Sequence, residues 1–139
     1  MDNGSGASGG GPTLAGVSIL IVEDDPAGGR LLQVLLTQEG AEVRLATTAE
    51  DALAVLQRFP ARVLIVDIVL PAMSGLGLVR LLKADAATSG IVAIAVSVVD
   101  GPQTERASLD SGCAAYVRKP IDVQTFARTI QKHVTRGMP

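Results

Sequence analysis

Apolar residues in this chain come in short unbroken runs, separated by longer stretches in which they recur every three or four positions. Residues 17–22, 63–66 and 91–96 are the clearest runs, with Ser18 the only polar interruption. Runs of this length without alternation fit strands buried on both faces. Residues 42–46 and 114–117 read as two further short strands. Between them lie helical patterns. Pro26 stands where a first helical turn tolerates proline, Leu31, Leu32, Val34, Leu35 and Leu36 follow, and Gly40 closes the segment after Glu39. Thr48 opens a helix over 48–58, with Asp51 three residues on as its acidic partner. Helices are predicted over 76–84 and 104–111. A last one, capped by Asp122, runs through Val134 with Val123, Phe126, Ala127 and Ile130 on its inner face.

Five strand–helix units in strict alternation, with the three clearest strands apolar almost throughout, imply a parallel sheet covered on both faces. Right-handed crossovers narrow the topology to a doubly wound α/β sandwich with five helices. Gly28 and Gly29 in the first helical turn are an oddity, since each glycine weakens a helix by roughly 1 kcal/mol relative to alanine. Residues 1–16, rich in Gly and Ser, read as a flexible tail, with order beginning near Val17. The domain is expected over 17–135, and residues 136–139 as a short C-terminal tail.

Composition narrows the function. The 139 residues are 47% hydrophobic, enough for one globular domain. A net charge of −2 leaves no basic surplus to neutralise a phosphate backbone, and Phe59, Tyr116 and Phe126 are too few aromatics for a base-stacking platform. No direct nucleic-acid partner is expected. Cys113, the only cysteine, can form neither an internal disulfide nor a zinc site alone, and is expected to be a small buried apolar residue. No apolar run approaches the roughly 20 residues that span a bilayer, and the N-terminus lacks a secretory pattern. A cytoplasmic protein without membrane insertion is expected.

In an open parallel sheet, function gathers at the carboxyl ends of the strands. Here the first strand ends in Glu23-Asp24, the third in Asp67, the fourth in Ser97 and the fifth near Lys119-Pro120. Clustered carboxylates repel and raise one another's pKa; a hard divalent cation such as Mg²⁺ relieves that cost. A carboxylate can then serve as a nucleophile toward phosphorus, with the lysine and the hydroxyl donating to phosphate oxygens.

The stretches Ile19-Leu20-Ile21-Val22-Glu23-Asp24-Asp25-Pro26, Val66-Asp67-Ile68-Val69-Leu70-Pro71-Ala72-Met73-Ser74-Gly75, Ala95-Val96-Ser97 and Gly112-Cys113-Ala114-Ala115-Tyr116-Val117-Arg118-Lys119-Pro120 resemble the response-regulator receiver family of two-component signalling. The four motifs stand in the family's order and spacing, and residues 112–123 are most similar to single-domain regulators of the DivK and CheY type. The resemblance implies a flavodoxin-like sheet of strand order 2-1-3-4-5. It implies that Asp67 accepts phosphate from a sensor histidine kinase or a histidine phosphotransfer protein. Asp24 would ligate Mg²⁺ (or Mn²⁺) together with Asp67, Glu23 through a water, and Val69 through its backbone carbonyl. Lys119 would contact the phosphate, after a cis peptide to Pro120. Ser97 and Tyr116 would form the switch pair, altering the face made by the fourth helix, fifth strand and fifth helix that a downstream protein target reads. Catalysis would be limited to moving phosphate onto and off Asp67.

Three positions depart from the family pattern: Ser97 in place of the commoner threonine, Val98 in place of a small residue, and the Gly28-Gly29 pair. Val69 and Val99 flank the path an attacking water takes in receivers and cannot orient it, which implies slow self-catalysed dephosphorylation. Each residue also has a plainer role open to it. A strand-end Asp is often a cap or turn residue, Lys119 could be a surface lysine, Tyr116 could be simple core, and Asp25 reads as the cap before Pro26. His133, near the end of the last helix, is no phosphodonor. Two alternatives keep the same fold and family: a pseudo-receiver that works without phosphorylation, and a receiver excised from a hybrid kinase. A flavin carrier on a similar sheet would need a Ser/Thr/Gly-rich loop where this chain has Glu23-Asp24-Asp25.

Overall fold

A computed structural model describes residues 13–99 and 101–136, with side chains through Val134. Strands and helices alternate: β1 (Ser18–Val22), α1 (Pro26–Gln38), β2 (Glu42–Ala46), α2 (Ala49–Leu56), β3 (Val63–Asp67), α3 (Gly75–Ala84), β4 (Val92–Ser97), α4 (Pro102–Ser111), β5 (Ala115–Arg118) and α5 (Val123–Arg136). The five strands form one parallel sheet in the order β2-β1-β3-β4-β5. This is the 2-1-3-4-5 order of the flavodoxin-like fold, as expected.

The apolar runs are explained by the two faces they serve. Leu20, Val22, Leu64, Val66, Ala93 and Ala95 point to one side, where Ala52 of α2 and Leu78, Val79 and Leu82 of α3 cover them. Ile19, Ile21, Val63, Ile65, Ile94 and Val96 point to the other, against Leu36 of α1 and Phe126, Ala127 and Ile130 of α5. Each fully buried side chain of this size contributes roughly 1.5–3 kcal/mol, so both helical layers are held by the same strands. Caps set the helix starts. Thr48 Oγ1 accepts from Asp51 N at 3.0 Å, and Asp122 Oδ1 accepts from Gln124 N at 3.1 Å. Asp25 is the N-cap of α1 but makes no side-chain capping bond.

The N-terminal boundary lies earlier than expected. Residues 13–16 form a turn, Leu14 is fully buried among Leu36, Val63 and Ile130, and its N–H donates to Glu39 O at 2.7 Å. The chain is therefore ordered before Val17. The rest of the expected tail, residues 1–12, lies outside the described residues, as do residues 137–139 of the expected C-terminal tail. Residue 136 is still in α5.

Gly29 does more than weaken a helix. It is buried, and a Cβ there would lie 2.8 Å from Leu45 Cδ1 and 3.4 Å from Glu23 Cβ. The missing side chain lets α1 close on the end of β1, where the acids begin.

Candidate functional site

β1, β3 and β4 lie side by side in the middle of the sheet and end in register, with Val22 opposite Val66 and Asp67 opposite Val96. The two-residue period that points Ile21 and Ile65 toward α1 and α5 carries Glu23 and Asp67 to the same side. Both are nearly buried, at 8% exposure each. Asp24, the next residue, is exposed, yet one oxygen from each of Glu23, Asp24 and Asp67 lies within 4.8 Å of the others. Such a set of carboxylate oxygens suits a hard divalent cation.

Lys119 enters from the end of β5 and bridges two of these acids. Its Nζ is 2.5 Å from Glu23 Oε1 and 3.0 Å from Asp67 Oδ2. The backbone aims it: Lys119 N donates to Ser97 O at 2.9 Å, and the Lys119–Pro120 peptide is cis. Burial pushes the Glu23 carboxyl above its ordinary value, with Asp67 beside it adding to the shift and the bonds from Lys119 and the Asp25 N–H only partly opposing it. Burial also works against the charge on Lys119, but its hydrogen bonds to Glu23 and Asp67 outweigh it and hold the ammonium above its usual pKa.

The other predicted residues gather at the same edge. Val69 is exposed, and its N–H donates to Asp67 Oδ1 at 3.0 Å, fixing the carboxylate's second oxygen. Ser97 is fully buried and its Oγ accepts from Val99 N at 3.0 Å. The Tyr116 hydroxyl donates to the carbonyl of the same Val99. Both hydroxyls thus hold Val99 of the β4–α4 loop, one at its N–H and one at its carbonyl. Val98 and Val99 are exposed beside it. Cys113 is buried as expected, and burial pushes its thiol up to about 11.

One residue of the site carried no functional signal in the sequence. Gly75 N donates to Ile68 O at 2.8 Å, and a Cβ at Gly75 would stand 2.1 Å from the carbonyl oxygen of Asp67. The start of α3 thus rests directly on the backbone of Asp67. Ser74 seats that helix by accepting from Leu76 N and Gly77 N.

The family model of the response regulator receiver domain matches residues 19–131. The chain belongs to the response-regulator receiver family. Among curated relatives, the polar-differentiation response regulator DivK of Brucella ovis is 32% identical over 117 residues, covering 84% of this chain and 95% of that protein. Protein PilH of Pseudomonas aeruginosa is 33% identical over 112 residues, covering 81% and 93%. The crystal structure of a CheY-like receiver domain protein from Methanospirillum hungatei JF-1 is 30% identical, superposes with a TM-score of 0.79, and covers 87% of this chain and 95% of its own. The receiver domain of a two-component response regulator is therefore the frame in which the acidic edge is to be understood. No helix among the described residues is long and apolar enough to cross a membrane.

Proposed function

We propose that this receiver is a phosphorylation-dependent switch whose acceptor is Asp67. One observation carries the reading: Lys119 Nζ lies 3.0 Å from Asp67 Oδ2 inside a cluster of three carboxylates drawn from two strands. Asp67 Oδ2 attacks the phosphorus of a phosphohistidine on a kinase or phosphotransfer protein. The P–N bond breaks, the imidazole leaves and takes up a proton, and an acyl phosphate remains on Asp67. The Val69 N–H holds Oδ1 and so orients the attacking oxygen. Lys119 supplies a full positive charge to the incoming phosphoryl oxygens.

The donor set fits Mg²⁺ or Mn²⁺, with Asp24 and Asp67 as direct ligands, Glu23 through a water and the Val69 carbonyl completing the protein's share. When bound, the cation neutralises charge that develops on the phosphoryl group. Asp24 is the one acid of the three that Lys119 does not hold, and it is exposed and free to bind.

Signalling follows from the grip on Val99. Turning Ser97 Oγ toward a phosphoryl oxygen withdraws its bond from the Val99 N–H, while Tyr116 still holds the Val99 carbonyl. The α4–β5–α5 face, which begins at this loop, then changes shape, and a downstream protein target reads the change as a population shift. The domain works in the cytoplasm, where kinase and target are reached. Beryllofluoride with Mg²⁺ tests the reading: a single adduct at Asp67, seen by ¹⁹F NMR and lost in Asp67→Asn, supports it, whereas no adduct under saturating conditions contradicts it.

A further inference from the structure

A cavity of about 340 Å³ opens between α1 and the β5–α5 connection, next to the acidic edge. Beneath it lies the sheet, at Ile21, Ile65 and Val96, which expose almost nothing, so the reachable apolar surface is that of the walls. Leu35 of α1 forms one wall and Ile121 and Val123 the other. Glu23, Asp25 and Lys119 stand at its upper end. Small-molecule sites have roughly this size, ~300–1,000 Å³, and this makeup of an apolar body with a few charged groups at one end.

The gap has a local cause. Gly28, which lines the cavity, puts no side chain at the start of α1. A Cβ at Gly28 would lie 2.9 Å from Asp25 Oδ2, so the Asp25 carboxylate closes over the bare helix turn. That carboxylate caps nothing, and among the described residues it has no ion-pair partner. Lys119, the one cation at the cavity, is already shared by Glu23 and Asp67. The unbalanced charge at the rim is therefore negative. The helix start contributes about half a positive charge, which reduces a full carboxylate charge without cancelling it.

We propose that this cavity binds a small amphipathic organic cation, with its apolar body between Leu35, Ile121 and Val123 and its amine at Asp25. The occupant packs against Lys119 and Pro120, which also line the cavity, and so couples to the acidic edge without joining its chemistry. Asp25 and the apolar walls have no part in the phosphoryl transfer proposed above.

A ¹³C-methyl NMR titration of the full chain, free of divalent cations, tests this with hexylamine, 1-hexanol and hexanoate as probes. The expected result is a saturable shift of the Leu35, Ile121 and Val123 methyls with hexylamine, in the millimolar range for so small a ligand. Hexanoate should bind at least about tenfold more weakly. Asp25→Asn should bring hexylamine down to the affinity of hexanol. Leu35→Phe or Val123→Phe, whichever folds, should remove binding of all three. No saturable shift, shifts centred elsewhere, equal binding of amine and acid, or an amine preference that survives Asp25→Asn would each overturn the proposal. The readout needs no phosphorylation: a failed titration beside normal labelling of Asp67 sinks the cavity alone, and the reverse sinks the acceptor alone.

Discussion

Lys119 lies closer to Glu23 than to Asp67, 2.5 Å against 3.0 Å, so Asp67 shares its cation with a neighbouring acid. The lysine holds together carboxylates that would otherwise repel. Removing it as Lys119→Met should cost about 1–3 kcal/mol of stability, the penalty for leaving largely buried charged groups unpaired. Mg²⁺ should restore part of that loss, because it answers the same charge. Urea denaturation with and without Mg²⁺ checks this; a variant as stable as the parent in EDTA would contradict it.

Alkaline pH should destabilise the fold in two overlapping steps. Cys113 titrates at about 11 in the fold against an ordinary 9.0, so the folded chain binds more protons than the unfolded chain between these values, and stability falls as pH rises through them. Lys119 is raised above its ordinary 10.5; its contribution is fully present below that value and is lost as pH rises through the folded one. Cys113→Ala should flatten the earlier part of the decline, which denaturation midpoints measured from pH 8 upward will show. The same buried thiol should react slowly with iodoacetamide at neutral pH in the native state.

Gly75→Ala should damage both fold and site. Its Cβ would meet the Asp67 carbonyl oxygen at 2.1 Å, an obstacle made of backbone that cannot swing aside. A loss of about 3 kcal/mol or more is expected, with slower phosphorylation of whatever folds. Gly77→Ala is the control: there the nearest atom is Met73 Cγ at 3.4 Å, and little change is expected.

Tyr116→Phe removes one of the two hydroxyls that hold Val99. About 1 kcal/mol should be lost, and amide exchange should quicken in residues 98–99 while β1 and β3 stay protected. Unchanged exchange in that loop would show that the Tyr116 bond does not restrain it.

The acyl phosphate, once made, should persist. Val69 and Val99 are 60% and 45% exposed beside the acceptor and offer no side-chain group to align a water. A lifetime of only seconds in the isolated protein would refute this; replacing Val69 with Asn should shorten it.

The central strands and the acidic edge were legible because β1, β3 and β4 are apolar runs that end at chemical residues, whereas β2 alternates and the strand order came from the family resemblance. Glu23, Asp67, Ser97 and Lys119 could be read from their places in the chain once a parallel sheet was inferred. What escaped depends on close approach rather than pattern. Leu14 is a single leucine beside a glycine-rich stretch, so no period marked it, yet it fills the end of the α1–α5 layer. Gly29 read as a weak point, because propensity says nothing about a neighbouring strand. Gly75 entered only as the last residue of a family stretch, because its close approach is to a carbonyl eight residues earlier. The start of α4 at Pro102 was placed two residues late, since Gly101 at φ 123° turns the chain directly into the proline. The inner face of α4 is made by Ser108 and Ser111, and Ser111 accepts from Arg80 of α3 at 2.9 Å; no apolar periodicity announces such a face.

Mass spectrometry after incubation with acetyl phosphate and Mg²⁺, run beside Asp67→Asn, tests the acceptor most directly. The account predicts one phosphoryl group on the parent chain, mapped to the peptide containing Asp67, and none on the variant. An unmodified parent, or an Asp67→Asn chain labelled to the same extent, would contradict it.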